Sequence, residues 1–483
     1  HNYTLYLSSA ASDVYKRQAY LLFLMRIPAH TYGGLGICVF LLAIAWPALA
    51  EVSAAEAARL GGDELTPVGA ERAGNAEGTI PAWTGGITEV PANFVPGRHH
   101  ADPFADDQVL YSIDAANLAE HAEKLTDGQK ALLAAYPDTL HFNVYPTRRS
   151  ASYPAWVYEA VRENATSARL VTEGRGGVEG ARVSSPFPLP KAAEEVIWNH
   201  NLRWRGIRVK RREGSAAVTR MGRYQVVRQL QDIAYPYGAP RETAVASKFD
   251  NELLAAKTKT YAPALRAGQG LLVIETINQT RDPRKSWRYT RSLRRIIRLP
   301  YFGYEIPPPG LDGLRTVDDF ELYNGPPDRY EWTLHGKREV LIPYNAYRLH
   351  SDDVKPEQII QRKHVNPELL RYELHRVWVV EGRLKEGARH VYSRRIFYVD
   401  EDSWQIAISE AYDKDGKFWR VMEAHAVNYY EVPVLWATAY VYYDLQQERY
   451  LIDGLDNGLP GFEFSDGADP REFSPNALSY YIR

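Results

Sequence analysis

Cysteine is almost missing from this chain. Of 483 residues one is cysteine, Cys38, and only three are methionine. A fold stapled by disulfides is thereby excluded, and a core of ordinary size must hold the chain together. Charge of one sign is missing too: 58 basic residues stand against 60 acidic ones, a formal net charge of −2. A balance so near neutral favours neither nucleic acid nor an anionic membrane as a partner. Catalytic signatures are also absent. There is no G-x-S-x-G, no phosphate loop ending in Gly-Lys-Ser/Thr, no H-E-x-x-H, and no cysteine nucleophile after position 38.

What is present begins with an address. Arg26 and His30 precede an apolar run from Leu35 to Trp46, and Pro47-Ala48-Leu49-Ala50 offers small residues where a signal peptidase reads them. The run is too short, and too closely followed by a cleavage pattern, for a membrane span. Residues 19–50 are expected to be a cleaved export signal, and Ile37 ahead of Cys38 argues against lipid attachment there. Residues 1–18 do not fit this plan. Asp13-Val14-Tyr15-Lys16-Arg17-Gln18 resembles the translation of a sequencing-library transposon end, so the stretch is read as foreign to the protein. Removing residues 1–50 takes Cys38 with them, and the rest must work without thiol or disulfide.

Residues 51–483 read as a single domain in three stretches. The front, 51–216, is mainly helix and loop. Its first part, Leu65 to Gly86, is polar and glycine-rich and ends in Thr79-Ile80-Pro81-Ala82-Trp83-Thr84-Gly85-Gly86, which suits an ordered arm on a scaffold. Asp114 is placed to cap a helix reaching Lys124, Thr126 to Gln129 is a capping box, Pro154 opens a helix, and Lys191 to Arg203 has helical apolar spacing. From 217 to 453 the period becomes that of strands. Runs rich in Tyr, Trp, Val and Ile turn sharply at Asp400-Glu401-Asp402-Ser403 and Asp413-Lys414-Asp415-Gly416, and turns so short join only antiparallel neighbours. Two loops interrupt the pattern: Tyr304 to Tyr330, with Pro307-Pro308-Pro309-Gly310, and the tail, 454–483. Long loops in compact domains tend to be lids or plugs. The expected fold class is α+β, a large antiparallel sheet with helices attached.

Candidate sites are few. Gly174 to Gly180 brushes against a dinucleotide loop but lacks the preceding strand, and reads as a flexible loop. His99-His100 with Asp102, Asp106 and Asp107 is the most metal-like cluster, yet adjacent histidines point apart and no second ligand pair stands nearby. It reads as a solvated loop, and no metal or cofactor is expected. Asp413 to Gly416 lacks the terminal Glu of a calcium loop. Paired acids for glycoside chemistry could be drawn from any of the many carboxylates, so no catalytic residue is singled out. The positive features are aromatic and basic: Trp287 and Tyr289, the run Leu293-Arg294-Arg295-Ile296-Ile297-Arg298, and the alternation of Tyr372, Leu374, Arg376, Trp378 and Val380. They suit an ordinary half-buried sheet with snorkelling arginines. They equally suit a concave face whose rim arginines hold an anionic head group, and composition leaves both open. The candidate ligand contacts are Trp287, Tyr289, Arg294, Arg295, Tyr372 and Trp378.

Several long words, in order along the chain, resemble the family known as domain of unknown function 1329. They include Leu65 to Gly86, Asn143 to Ser150, Pro186 to Lys191, Ile197 to Gly206, Trp287 to Pro300, Asp312 to Thr316, Pro343 to Tyr347, and Arg394 to Trp404. The resemblance implies a fold like that of LolA and LolB, a curved sheet forming a half-barrel around an apolar cavity plugged by helices. It also implies a non-catalytic periplasmic carrier of a lipid or other hydrophobic compound. Its partners would be an inner-membrane transporter of the resistance-nodulation-division type and an outer-membrane-like protein. Arg291 departs from the small residue or proline often found before Leu293-Arg294-Arg295, so the cavity edge there is expected to differ. A structural or adaptor subunit and an envelope hydrolase are the alternatives.

Overall fold

Alternating strands joined by turns of a few residues must pair with their sequence neighbours, and the sheet is built that way. A computed structural model describes residues 52–482 except 173–175, 241, 244, 246–247 and 300–302. The expected signal and the first eighteen residues lie outside the described residues, as do Gly174 and Arg175 of the glycine loop. The strands are β1 Tyr111–Ile113, β2 Phe142–Val144, β3 Arg169–Leu170, β4 Val178–Glu179, β5 Arg208–Val218, β6 Val227–Ala234, β7 Glu252–Ala262, β8 Gln269–Thr276 and β9 Lys285–Thr290. They continue as β10 Arg295–Arg298, β11 Tyr330–Pro343, β12 Tyr372–Leu384, β13 Arg394–Asp400, β14 Ile406–Tyr412, β15 Phe418–Tyr429, β16 Val434–Asp444, β17 Arg449–Leu455 and β18 Glu463–Ser465.

β5 to β10 form one meander and β11 to β17 another, and β17 pairs with β5 to fuse them into one open sheet. β1 and β2 join it through a parallel contact of Val144 with Tyr372, and β18 continues the edge of β5 beyond the end of β17. β3 and β4 stand apart as a small pair. The sheet curls, because β11, hydrogen-bonded to β12, also comes back against β14 and β15. Helices fill the second half: Asp127–Ala135 lies against β15, and Ala193–Leu202 against β11 and β12. The Thr126 capping box forms as its spacing requires, and Asp114 accepts the N–H groups of Ala116 and Asn117 ahead of a helix at Leu118–His121.

The arm is ordered. Val68 accepts a hydrogen bond from the Trp404 indole at 3.0 Å, which seats it on the β13–β14 turn. Two glycines allow the approach: at Gly69 (φ +89°) and Gly86 (φ +74°) a Cβ would stand 1.9 Å from the Pro188 carbonyl oxygen and 2.1 Å from that of Ala151. Both need a positive φ and a missing side chain.

Short strands β1 to β4 lie within the front stretch, and the first meander begins earlier than its composition suggests, at Arg208 rather than 217. β7 and β17 were not anticipated, and β11 starts at Tyr330 rather than Glu339. The tail carries β18 and a helix, Pro475–Ile482. No helix among the described residues is long and apolar enough to cross a membrane.

Candidate functional site

Each strand of the first meander offers every second residue to one face. On one face of β5 to β9 these are Ser215, Gln231, Ile233, Leu254, Ala256, Thr258, Leu271, Val273 and Arg288, which line a cavity of about 210 Å³. The lid is the proline-rich loop, through Pro308, Pro309, Leu311, Val317 and Phe320. Backing the other face of the strands, the C-terminal helix packs Leu478 and Ile482 against Leu272, Ala255 and Ala234. This half of the sheet is therefore covered on both sides, by the loop on one and the C-terminal helix on the other.

The cavity is apolar in its body and charged at its edges. Glu275 pairs with Arg284 at 2.6 Å, and Arg315 stands 3.5 Å from Asp453. Burial pushes the Glu213 carboxyl up to about 7, against the pull of Arg211, and it accepts a hydrogen bond from Gln231. Arg288 differs from the other charged lining groups. Among the described residues its side chain has no hydrogen-bond or ion-pair partner.

The six residues singled out from sequence lie elsewhere. Trp287 and Tyr289 flank Arg288 on β9 but face the C-terminal helix. Arg294, with φ 47°, and Arg295 are exposed at the β9–β10 hairpin on the sheet edge. Tyr372 is buried, its hydroxyl 3.0 Å from Glu423, and Trp378 stacks near Trp404 with the Lys337 ammonium 5.0 Å above its ring. None of the six lines the cavity. Arg288, between Trp287 and Tyr289, lines it, and strand parity alone cannot say which face is open when both are covered.

Glu423 and His425 show how the second half buries ionisable groups. Both are fully buried on β15; burial raises the Glu423 carboxyl to about 7 against the Tyr372 hydrogen bond, and lowers the His425 imidazole to about 3. At neutral pH the histidine is therefore neutral. A carboxyl raised in the fold contributes stability that is complete below its unfolded value of about 4.5 and is lost as pH rises toward 7. Glu423→Gln is thus expected to remove a loss on the order of 3 kcal/mol between pH 4.5 and 7. Urea unfolding of both proteins at pH 5 and pH 8 measures it, and parallel pH curves would refute the assignment.

The turn Asp400-Glu401-Asp402-Ser403 joins antiparallel neighbours as expected, and it is buried under the arm, with Arg149 making a fork to Asp402 at 2.8 and 2.7 Å. One expectation about a polar segment is corrected. His99-His100 is not a solvated loop: the His99 side chain is 3% exposed and His100 reaches Glu431 at 2.6 Å. Their partners come from distant parts of the chain. A depression of about 420 Å³ beside β5 and the tail is lined by cations, but Arg208 and Lys257 are paired with Asp232, and Arg208 also with Glu472.

Taken together, the fold defines an open half-barrel whose loop covers a small, mainly apolar cavity, in which the Arg288 guanidinium has no partner among the described residues. The chain belongs to the family described as protein of unknown function DUF1329, which it matches over residues 112–479. It is 44% identical over 436 residues to the uncharacterized protein PA3922 of Pseudomonas aeruginosa, covering 90% of this chain and 95% of that one. Among solved structures it is similar to a DUF1329 family protein from Desulfovibrio piger, with a TM-score of 0.37 and 12% identity over 56% of this chain and 92% of that one. It is also similar to the LolA superfamily protein NE2245 from Nitrosomonas europaea, with a TM-score of 0.36 and 10% identity over 60% of this chain and all of that one. Likeness at this level carries no functional argument.

Proposed function

We propose that the protein is a non-catalytic carrier that holds an amphiphile, an apolar chain with an anionic head, in the cavity between β5–β9 and the proline-rich loop. The observation that carries this reading is Arg288: a cation without a partner, lining an apolar cavity, is a ready anchor for a carboxylate or phosphate. At about 210 Å³ the cavity is smaller than the roughly 300–1,000 Å³ of ordinary ligand clefts. A full acyl chain therefore needs the loop to lift, and the loop is the gate. Residues 19–50 export the chain to the periplasm, and its cargo passes to or from a resistance-nodulation-division transporter and an outer-membrane-like protein.

Binding of an anionic and a neutral fluorescent lipid probe tests this. Ala256→Trp fills the cavity and is expected to abolish binding of both. Arg288→Gln is expected to weaken the anionic probe about 10- to 100-fold, the value of a charge-assisted hydrogen bond, and to leave the neutral probe unchanged. Probes that bind Ala256→Trp as well as the native protein would overturn the reading.

An adaptor role has one observation in its favour. At the β9–β10 end, Leu265, Leu293 and Ile297 are exposed near the edge strand β10, where a partner strand could pair. Retention of the partner by lipid-free protein in a pull-down from envelope membranes would favour that reading.

A further inference from the structure

We propose that His99, His350 and Asp456 form a buried site for a divalent transition-metal ion of the zinc class, which clips the N-terminal segment to the sheet. The three residues come from distant places. His99 lies on the irregular segment after the arm, His350 ends the helix Tyr347–His350, and Asp456 follows β17. One ligand atom from each lies within 4.8 Å of the others. Asp456 places one carboxylate oxygen 2.8 Å from His350 Nδ1 and the other 3.6 Å from His99 Nε2. Metal–ligand bonds of about 2.0 Å in a tetrahedron set ligand atoms about 3.3 Å apart, which falls between those two distances.

The surroundings are those of a metal site. Asp352 Oδ1 lies 2.7 Å from His99 Nδ1, on the far side of the ring from Asp456. His350 Nε2 lies 3.3 Å from His100 Nδ1, and His100 Nε2 lies 2.6 Å from Glu431. Each imidazole thus has its second nitrogen against a carboxylate, directly or through one histidine, the arrangement that fixes the tautomer of a metal-bound histidine. Thr438 holds the Asp456 carboxylate at 2.9 Å.

A second observation separates this cluster from an ordinary ion-pair network. The His99 side chain is 97% buried between two carboxylates, Asp352 at 2.7 Å and Asp456 at 3.6 Å, yet neither contact has hydrogen-bond geometry among the described residues. A buried imidazole held by such poorly aligned contacts is under-satisfied, and a cation taking its lone pair would relieve that cost. Two imidazole nitrogens and one carboxylate oxygen suit zinc and its neighbours rather than magnesium or calcium.

The test uses the chain after removal of the signal, stripped with chelator, dialysed against zinc chloride and freed of excess metal. Metal analysis is expected to find about one zinc per chain, and cobalt substitution to give the visible absorption of a tetrahedral site. His99→Ala and Asp456→Asn are expected to lower the zinc content at least about tenfold. His335→Ala, at a half-exposed histidine outside the cluster, is expected to keep it. Zinc should raise the melting temperature of the native chain and not that of His99→Ala. His99 sits outside helix and strand, so circular dichroism should show its variant folded; Asp456→Asn is the independent check. A folded native chain that retains no zinc, or a His99→Ala variant that retains it fully, would overturn the proposal.

Discussion

Glu321→Ala is expected to lower the free energy of unfolding by about 3–5 kcal/mol, because it leaves two buried guanidinium groups without their shared carboxylate. Arg203 donates to Glu321 at 2.8 Å, Arg205 donates to the same oxygen, and the Trp436 indole donates to the other at 2.9 Å. Glu321 sits at φ 54°, at a kink in the short helical segment Val317–Leu322 that belongs to the cavity loop. A non-glycine residue keeps that conformation only where its surroundings impose it, and here the ion pairs do. Burial alone would raise this carboxyl, but Arg205 and Arg203 outweigh it and hold the group down at about 2. Since the folded value lies below the unfolded one, the contribution is complete above about pH 4.5 and is lost as pH falls toward 2, on the order of 3 kcal/mol. Glu321→Gln keeps the shape and removes that acid dependence. Urea unfolding at pH 3, 5 and 7 measures both effects. Val317 and Phe320 cover the cavity from the same loop, so a bound probe is expected to leave the alanine variant faster than the native chain. Unchanged stability and release would sink the idea that Glu321 latches the gate.

Much of the sheet was legible because aromatic and β-branched residues alternate from His390 to Tyr450, and the turns at Asp400 and Asp413 are short. β7 was not, since Glu252-Leu253-Leu254-Ala255-Ala256-Lys257 has helical propensity; pairing with β6 on one edge and β8 on the other overrides it. β5 is rich in Arg, Lys and Glu, and β11 is interrupted by Gly336 and the charged run Lys337-Arg338-Glu339, so β5 and the start of β11 read as loop until their neighbours are known. The cavity lining and the buried charges were not legible for a related reason. A buried charge is recognisable by its partner, and the partners of Arg149, His99 and Glu321 lie more than a hundred residues away in sequence. The expected export signal and the arm are local patterns; the cavity and the polar clusters are products of the fold.

Arg149 shows how much depends on one such distant pairing. Its guanidinium forks onto Asp402 and also donates to the Glu71 carbonyl at 2.8 Å, and to those of Arg72 and Pro81 at 3.3 and 3.4 Å. One side chain therefore neutralises the buried acidic turn and fastens the arm over it. Beside it, burial and the neighbouring Asp402 push the Asp400 carboxyl up to about 7, while Glu401 is shared by Lys337 at 2.7 Å and Arg376 at 3.3 Å. No other side chain makes such a fork with Asp402 among the described residues. Arg149→Met is expected to cost about 3–5 kcal/mol, since it strands a buried charge. Arg149→Lys restores the charge without the planar fork and should recover only part of the loss. Urea unfolding gives the magnitude, and limited proteolysis gives the location. New cuts should fall between residues 65 and 86, where the arm loses its anchor, before the sheet is attacked. If Arg149→Met unfolded with native stability and an intact arm, the acidic turn would have to be held by Lys337 and Arg376 alone.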